Sequence, residues 1–126
     1  MSEEYSGPVT TYPDYQGIDF TLFHNNYPAF DDTNNLSIVT FVDYADMRIA
    51  FTGDLETDGW VALLENEALR LKLIGTDIFV ASHHGRESGY NERVFNYCSP
   101  EIVIISDKEV IHDTQKNIYA KHAKGI

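Results

Sequence analysis

The chain has 126 residues, of which 43% are hydrophobic and 13% aromatic, a size and composition that suit one compact domain and are too small for two. Nine Lys and Arg against twenty Asp and Glu give a formal net charge of −11, and a surface of that charge repels polyanions, which argues against a nucleic-acid partner. No run approaches the roughly 20 apolar residues needed to span a bilayer, and the acidic start MSEEYSGP is unlike a signal peptide, so we expect a cytoplasmic protein without membrane contact.

The first half of the chain carries the pattern of antiparallel strands. Residues 1–17 have no periodicity and are predicted to form an irregular arm. Apolar residues alternate over 18–24, which predicts a strand. Two apolar runs flank a polar step in 37–54, which predicts a β-hairpin whose second strand ends shortly before Asp54.

The middle of the chain predicts a helix followed by a strand. Residues 55–75 place apolar side chains at helical spacing and end at a glycine, so we expect one continuous helix with Thr57 or Asp58 as its N-cap. The run TDIFVASHHG at 76–85 is short, apolar and bounded by polar residues and glycine, which is the pattern of a strand covered on both faces.

The last third of the chain alternates between helix and strand. We expect a short helix at 90–97, a second fully buried strand at 101–107, and a helix at 114–123 with Ile118 on its inner face. The single cysteine, Cys98, is expected to be a small, half-buried thiol. The order β, α, β, α favours an α/β sheet with parallel neighbours, and without a repeat or linker the chain is predicted to be a single unit.

Polar side chains follow three of the predicted strands. Asp54 comes after the second hairpin strand, His83 and His84 follow VAS, and Asp107 follows IIS. Open α/β sheets bind ligands at the carboxyl ends of their strands, where loops from neighbouring elements converge. Carboxylate and imidazole together suit a borderline cation such as Zn, Mn or Fe. These residues are therefore candidates for a metal site at one edge of the sheet.

Each candidate also has a purely structural interpretation. Asp54 is equally suited to capping the following helix or tightening the turn after its strand. One histidine of the pair could be satisfied beneath the loop while the other is solvated, and Asp107 suits a local side-chain turn better than a ligand role. The remaining histidines are weaker candidates: His24 and His112, in loops, for substrate contact, and His122 for a favourable charge at a helix C-terminus.

The order of these segments resembles the C-terminal half of a metallo-β-lactamase-fold hydrolase. The resemblance is carried by NNLSIVTFVDYADMRIAFTGDLE, DIFVASHHGRESG, SPEIVIISD and HDTQKNIYAKHAKG, with the aspartate of TGD followed 29 residues later by the first histidine of HHG. Within the family, these segments are most similar to the branch that contains the hydrolase domain of competence DNA-uptake proteins and many uncharacterised metal-dependent hydrolases. The resemblance covers residues 18–126.

The resemblance implies a fold and a set of site residues. The family's domain is a four-layer αββα sandwich of two similar halves with the metal site between them, so this chain would be half of it: one mixed β-sheet with helices packed on one face. Asp54 takes the place of the aspartate that bridges two metal ions, and one histidine of the pair that of the last ligand. We favour His83 as that ligand, because it comes first after the strand. In this reading His84, His112 or Asp107 helps to place the substrate or a proton, and His84 remains the alternative ligand.

Two departures from the family's pattern matter for function. The principal metal motif, His-x-His-x-Asp-His or its Asp-containing variant, belongs to the N-terminal half and occurs nowhere in the 126 residues. Thr33, in DTNNLS, stands where many members have a further histidine ligand. Members of the family would also continue beyond a segment like YAKHAKG. We therefore expect 1–126 to be a partial domain that is incomplete at both ends.

These departures leave two hypotheses for function. In the first, the chain is the C-terminal portion of a hydrolase that uses a metal-activated water on an ester, amide or phosphodiester, with zinc, or else Mn or Fe, bound weakly or not at all by this chain alone. In the second, it is a truncated, inactive relative that acts as a protein-interaction module. Under both we expect an exposed apolar sheet face, which would meet the missing N-terminal half, in the same or another chain, or a second copy in a homodimer.

Overall fold

The computed structural model describes residues 8–9, 17–106 and 115–124. They form one six-stranded sheet in which the strands lie side by side in chain order. The strands are β1 (Pro8–Val9), β2 (Ile18–Phe23), β3 (Val39–Tyr44), β4 (Met47–Phe51), β5 (Ile78–Val80) and β6 (Ile102–Ile104). The helices are α1 (Thr57–Leu63), α2 (Glu67–Ile74) and α3 (Lys116–Tyr119). Two of the predicted site residues, Asp107 and His112, lie outside the described residues.

The sheet is mixed, as the sequence predicted. Strands β1 to β4 pair antiparallel, and the hairpin between β3 and β4 places Tyr44 opposite Met47. Strands β4, β5 and β6 pair in parallel, with Ala50 beside Phe79 and Phe79 beside Val103. Because parallel strands run in the same direction, the segments that follow β4, β5 and β6 converge at one edge of the sheet.

One face of the sheet is covered by helices. Phe41, Ala50, Phe79 and Val103 point to this face and are at most 1% exposed. They pack in one core with buried side chains of α1 and α2, and Trp60 stacks on Phe79 with ring centroids 6.2 Å apart. The removal of this apolar surface from water holds the helices against the sheet. The predicted α/β class with one mixed sheet is therefore confirmed.

The prediction of a single helix over 55–75 is wrong, because the chain forms two helices there, α1 and α2. Asn66 marks the break: its side-chain oxygen accepts hydrogen bonds from two backbone N–H groups of the next turn, at 2.9 and 3.4 Å, and so caps α2. The N-cap of α1 is Glu56 rather than Thr57 or Asp58, and the Glu56 side chain makes no capping hydrogen bond.

Other predicted elements differ in length or type from the expectation. Strands β5 and β6 have three residues each. The helix predicted at 90–97 is a 3₁₀ helix over Glu92–Asn96. Within 114–123, where a longer helix was predicted, the structure has the four-residue α3. The buried residue of α3 is Tyr119, which is 1% exposed, whereas Ile118 was expected on the inner face. The arm that was expected to be irregular contributes the two-residue strand β1.

The other face of the sheet is apolar, and no helix of the described residues packs on it. Alternate residues of β3 to β6 share this face, because residues paired in register lie side by side. We call it the open face and define it by Thr40, Val42, Tyr44, Met47, Ile49, Phe51, Ile78, Val80, Ile102 and Ile104. None of these side chains is charged, and Ile102 and Ile104 of β6 are each 44% exposed. The prediction that β5 and β6 would be covered on both faces is therefore wrong.

Candidate metal centre

Asp54 lies in the tight turn that follows β4. Gly53 has a left-handed φ of 59°, and a Cβ atom there would lie 3.0 Å from the Cβ of Ser37, so the turn requires a glycine. The Asp54 N–H donates to the Ser37 hydroxyl oxygen at 3.1 Å, which holds the backbone of this turn. The carboxylate is not the cap of α1, whose N-cap is Glu56, and the Asp54 side chain is 47% exposed. It therefore lies at the sheet edge, accessible to a ligand.

His84 is turned so that one ring nitrogen lies near Asp54. Its Nδ1–H donates to the backbone carbonyl of Ser106 at 2.8 Å. Since a carbonyl only accepts, the neutral ring carries its proton on Nδ1, and the Nε2 lone pair remains available. That Nε2 atom lies 3.5 Å from Oδ1 of Asp54. A carbonyl that holds the second ring nitrogen in this way is the usual means of orienting a metal-binding imidazole.

The backbone that carries the two histidines is strained. His83 and His84 have φ values of 49° and 58°, and Gly85 follows with 76°. A non-glycine residue in the left-handed region costs on the order of 1–3 kcal/mol, so two in succession need support. The His83 N–H donates to the Gly53 carbonyl at 2.9 Å, and the Gln115 N–H donates to the Gly85 carbonyl at 2.7 Å. Because such strain concentrates at functional sites, it favours a functional interpretation of this turn.

His83 contacts a different set of side chains. Its Nδ1 lies 2.8 Å from the Ser88 hydroxyl oxygen and 3.5 Å from a carboxylate oxygen of Glu56. The His83 side chain is 17% exposed, against 47% for His84. The geometry therefore favours His84 as the partner of Asp54, whereas the sequence favoured His83. The left-handed dihedral angles of His83 and His84 turn their side chains in different directions. The ring that comes first after the strand is therefore not the one that approaches Asp54.

The spacing of Asp54 and His84 fits two ligands of one divalent ion. Zinc bonds of about 2.0–2.1 Å at tetrahedral angles place neighbouring donor atoms about 3.3–3.4 Å apart, and the Nε2 and Oδ1 atoms lie 3.5 Å apart. That distance is too long for a charge-assisted hydrogen bond, which measures about 2.7–2.9 Å. Across the described residues, no group of three His, Cys, Asp or Glu side chains is placed to hold an ion. The pair therefore has the spacing of two metal ligands but does not form a complete ligand set within the described residues.

A cavity of about 270 Å³ lies beside the pair. Its polar lining includes Asp54, His84 and Ser106, and its apolar lining includes Phe51 and Val80. Phe51 and Val80 are the last residues of β4 and β5 and belong to the open face. The candidate site and the open face therefore meet at the carboxyl ends of these two strands.

Asn35, which the sequence did not single out, holds the segment after Asp54 in place. It is 7% exposed, and its side-chain oxygen accepts hydrogen bonds from the N–H groups of Glu56 and Gly59, both at 3.0 Å. It thereby caps α1 from a distant loop. Asn25 in turn donates to the Asn35 carbonyl at 3.0 Å. An Asn-Asn step in a turn-rich segment was the available signal, and it does not separate a buried amide from an exposed turn residue.

Two further candidate histidines, His24 and His122, do not contact Asp54 or the histidine pair. His24 lines a separate cavity of about 460 Å³, and its Nδ1–H donates to the Asn25 carbonyl at 2.9 Å. His122 stacks on Phe95 with ring centroids 4.2 Å apart, and its Nε2 lies 2.8 Å from the Tyr90 hydroxyl oxygen. Burial lowers the pKa of His122 and favours the neutral ring. The expected charge at a helix C-terminus would need the protonated ring, so the structure does not favour that role.

No protein-family model matches the chain, and no curated protein is significantly similar to it. Within the part of the chain that the structure describes, no helix is long and apolar enough to cross a bilayer. The family resemblance remains a prediction from the quoted segments.

Proposed function

We propose that Asp54 and His84 are ligands of a divalent-metal centre, and that the chain is part of a metal-dependent hydrolase acting on an ester, amide or phosphodiester. The orientation of His84 carries this proposal, because the Ser106 carbonyl holds Nδ1 while Nε2 lies 3.5 Å from Asp54. The strained backbone supports it, since a purely structural imidazole needs no such cost. The resemblance of the TGD and HHG segments points to the same chemistry.

The residues of the chain have distinct roles in such a site. A divalent ion bound there would lower the pKa of a coordinated water toward neutrality and so provide a nucleophile. Asp54 contributes the negative charge that attracts the cation, and the Ser106 carbonyl keeps His84 in the tautomer that can bind it. Phe51 and Val80 form the apolar side of the cavity next to the two donors. Zinc suits this donor set, and Mn or Fe accepts the same donors.

Two donors are too few for a catalytic centre. A hydrolytic zinc site uses about three protein ligands and keeps a position for water, so further donors must come from residues outside the described ranges or from another chain. We retain His112 and Asp107, which lie outside those ranges, as candidates for placing the substrate or a proton. We therefore expect little or no hydrolysis by the chain as a monomer.

The open face favours a second candidate function, that of a protein-interaction module. Tyr44 and Met47 on this face are 60% and 50% exposed, and the face carries no charged side chain. Uncharged apolar surface of this extent is typical of interfaces. Such a module needs no metal pair, however, so the strained turn at His83 and His84 argues against it as the whole function.

Calorimetric titration with Zn²⁺ and with Mn²⁺ tests the metal proposal. We expect binding by the wild type to be lost in Asp54→Asn and in His84→Asn, and to be retained in His83→Asn. Asparagine is used at both histidines because it tolerates the left-handed backbone of this turn. The two histidine variants then differ only in which imidazole is removed. Equal loss in both, or no binding by the wild type, would contradict the assignment of Asp54 and His84.

A further inference from the structure

We propose that two copies of the chain pack open face against open face, and that Asp54 and His84 of both copies bind one shared divalent ion. This inference rests on the proposed metal pair and goes beyond it by naming the source of the remaining ligands. Two observations carry it: an uncharged apolar face, and an incomplete ligand set at the rim of that face.

The open face is large enough to form an interface. Its five most exposed side chains, Tyr44, Met47, Phe51, Ile102 and Ile104, are each 44–60% exposed. Since large side chains present roughly 150–250 Å² when fully exposed, these five together expose on the order of 500 Å². Half-buried neighbours on the same strands extend the patch. A stable interface buries about 800 Å² on each partner, so these five side chains alone supply more than half of that area.

Charge favours a second copy of the same chain on this face. The chain carries a net charge of −11, so most surfaces of two copies repel each other. The open face has no charged side chain, so the apolar centre of such an interface places no like charges opposite each other. The two Asp54 carboxylates meet only at its rim, where the cation would lie between them. In a two-fold dimer the same patch lies on both sides of the interface, which matches apolar surface with apolar surface.

One copy supplies only part of the ligand set, and a second copy related by a two-fold axis supplies the rest. One copy supplies one carboxylate and one imidazole, and both side chains are 47% exposed. Two copies supply four donors, and their two carboxylates balance the charge of one divalent ion. Four donors complete a tetrahedral zinc site, whereas a six-coordinate ion such as Mn²⁺ keeps positions for water.

The proposal requires a two-fold axis parallel to the strands. That orientation places the carboxyl ends of β4 and β5 of both copies at the same end of the paired sheets. Stacked sheets lie about 10 Å apart, so the Asp54 and His84 side chains of each copy must span about half of that gap. Phe51 and Val80 line the cavity beside the pair and also belong to the open face, so the donors lie at the rim where the two copies meet.

Sedimentation equilibrium and native mass spectrometry of the full chain, with and without Zn²⁺, test the proposal. We expect one ion per two chains and a dimer dissociation constant that the ion lowers roughly tenfold or more, because a ligand that binds only the dimer stabilises it by mass action. Met47→Glu, which places a charge on the open face, should abolish the dimer and ion binding together. Leu71→Glu, at a 59% exposed position of α2, is the matched control and should retain both.

The alternative outcomes are distinguishable. One ion bound per monomer would overturn the shared site and leave the proposed ligands intact. A dimer that binds no ion, and that forms equally well in Asp54→Asn, would overturn the shared site and the proposed ligands together. A chain that stays monomeric at micromolar concentration in the presence of Zn²⁺, or a dimer that Met47→Glu does not disturb, would show that the open face is not the contact between copies.

Discussion

The Asn35→Ala variant tests how the segment after Asp54 is held in place. The Asn35 side-chain oxygen accepts hydrogen bonds from the N–H groups of Glu56 and Gly59, and the residue is 7% exposed. Alanine removes this acceptor and leaves two donors at the start of α1 unpaired, one of them on the buried Gly59. Because an unsatisfied buried donor costs about 1–3 kcal/mol, we expect the free energy of unfolding to fall by about 2–4 kcal/mol.

Urea denaturation followed by Trp60 fluorescence measures this loss, because Trp60 is 1% exposed in the core. Asn66→Ala is the control: its side chain also caps a helix through two N–H groups, but it is exposed, so its loss should cost about 1 kcal/mol. Asn35→Asp keeps an acceptor in place and should lose less than Asn35→Ala. If Asn35→Ala costs no more than Asn66→Ala, the buried pair of hydrogen bonds does not hold this segment, and the reasoning is refuted.

Three further variants or labels probe other parts of the fold. Burial lowers the pKa of His122 below 6.5 in the folded chain, so the stability that the neutral ring contributes is complete above pH 6.5 and is lost as the pH falls through the pKa of the folded state. His122→Phe should flatten this part of the profile of unfolding free energy against pH. An unchanged profile would contradict the burial of a neutral His122 ring. Gly89→Ala should destabilise the turn that carries His83 and His84, because a Cβ atom at position 89 collides with the Ser82 backbone. In the same denaturation assay, Gly89→Ala should lower the free energy of unfolding more than Gly75→Ala, whose Cβ atom meets only a flexible side chain. Cys98 is 1% exposed rather than half-buried, and burial raises the pKa of its thiol to about 12. A thiol reagent should therefore label Cys98 only on unfolding. Rapid labelling of the folded chain would show that solvent reaches the Cys98 thiol in the native state.

The strands were predictable because alternation and apolar runs are local properties of the sequence. The hairpin in 37–54 and the parallel pairing that follows it are both present. The helix over 55–75 was mispredicted because Leu63 and Leu64 continue the apolar spacing up to the break. The hydrogen bonds of Asn66 that start the second helix are not visible in a periodicity.

The candidate site was predictable in its residue types and not in its geometry. Asp54 and the histidine pair lie at one sheet edge, but which histidine faces Asp54 depends on the dihedral angles of a strained turn, and spacing along the chain does not encode them. Asn35 was missed for a related reason, since its hydrogen-bond partners lie 21 and 24 residues away. A hydrogen bond over that separation leaves no local pattern.

The chain-order arrangement of the strands has a consequence for the sequence of folding events. Strands β3 and β4 pair with their immediate predecessors without an intervening helix, whereas β4 and β5 pair only across a crossover that includes α1 and α2. Contacts between residues close in sequence form fastest, so the antiparallel part should fold before the parallel part. Asp54 follows the last strand of the early part, and His84 follows the first strand of the late part. The pair therefore assembles late, and pulsed hydrogen exchange should show protection in β3 and β4 before β5 and β6.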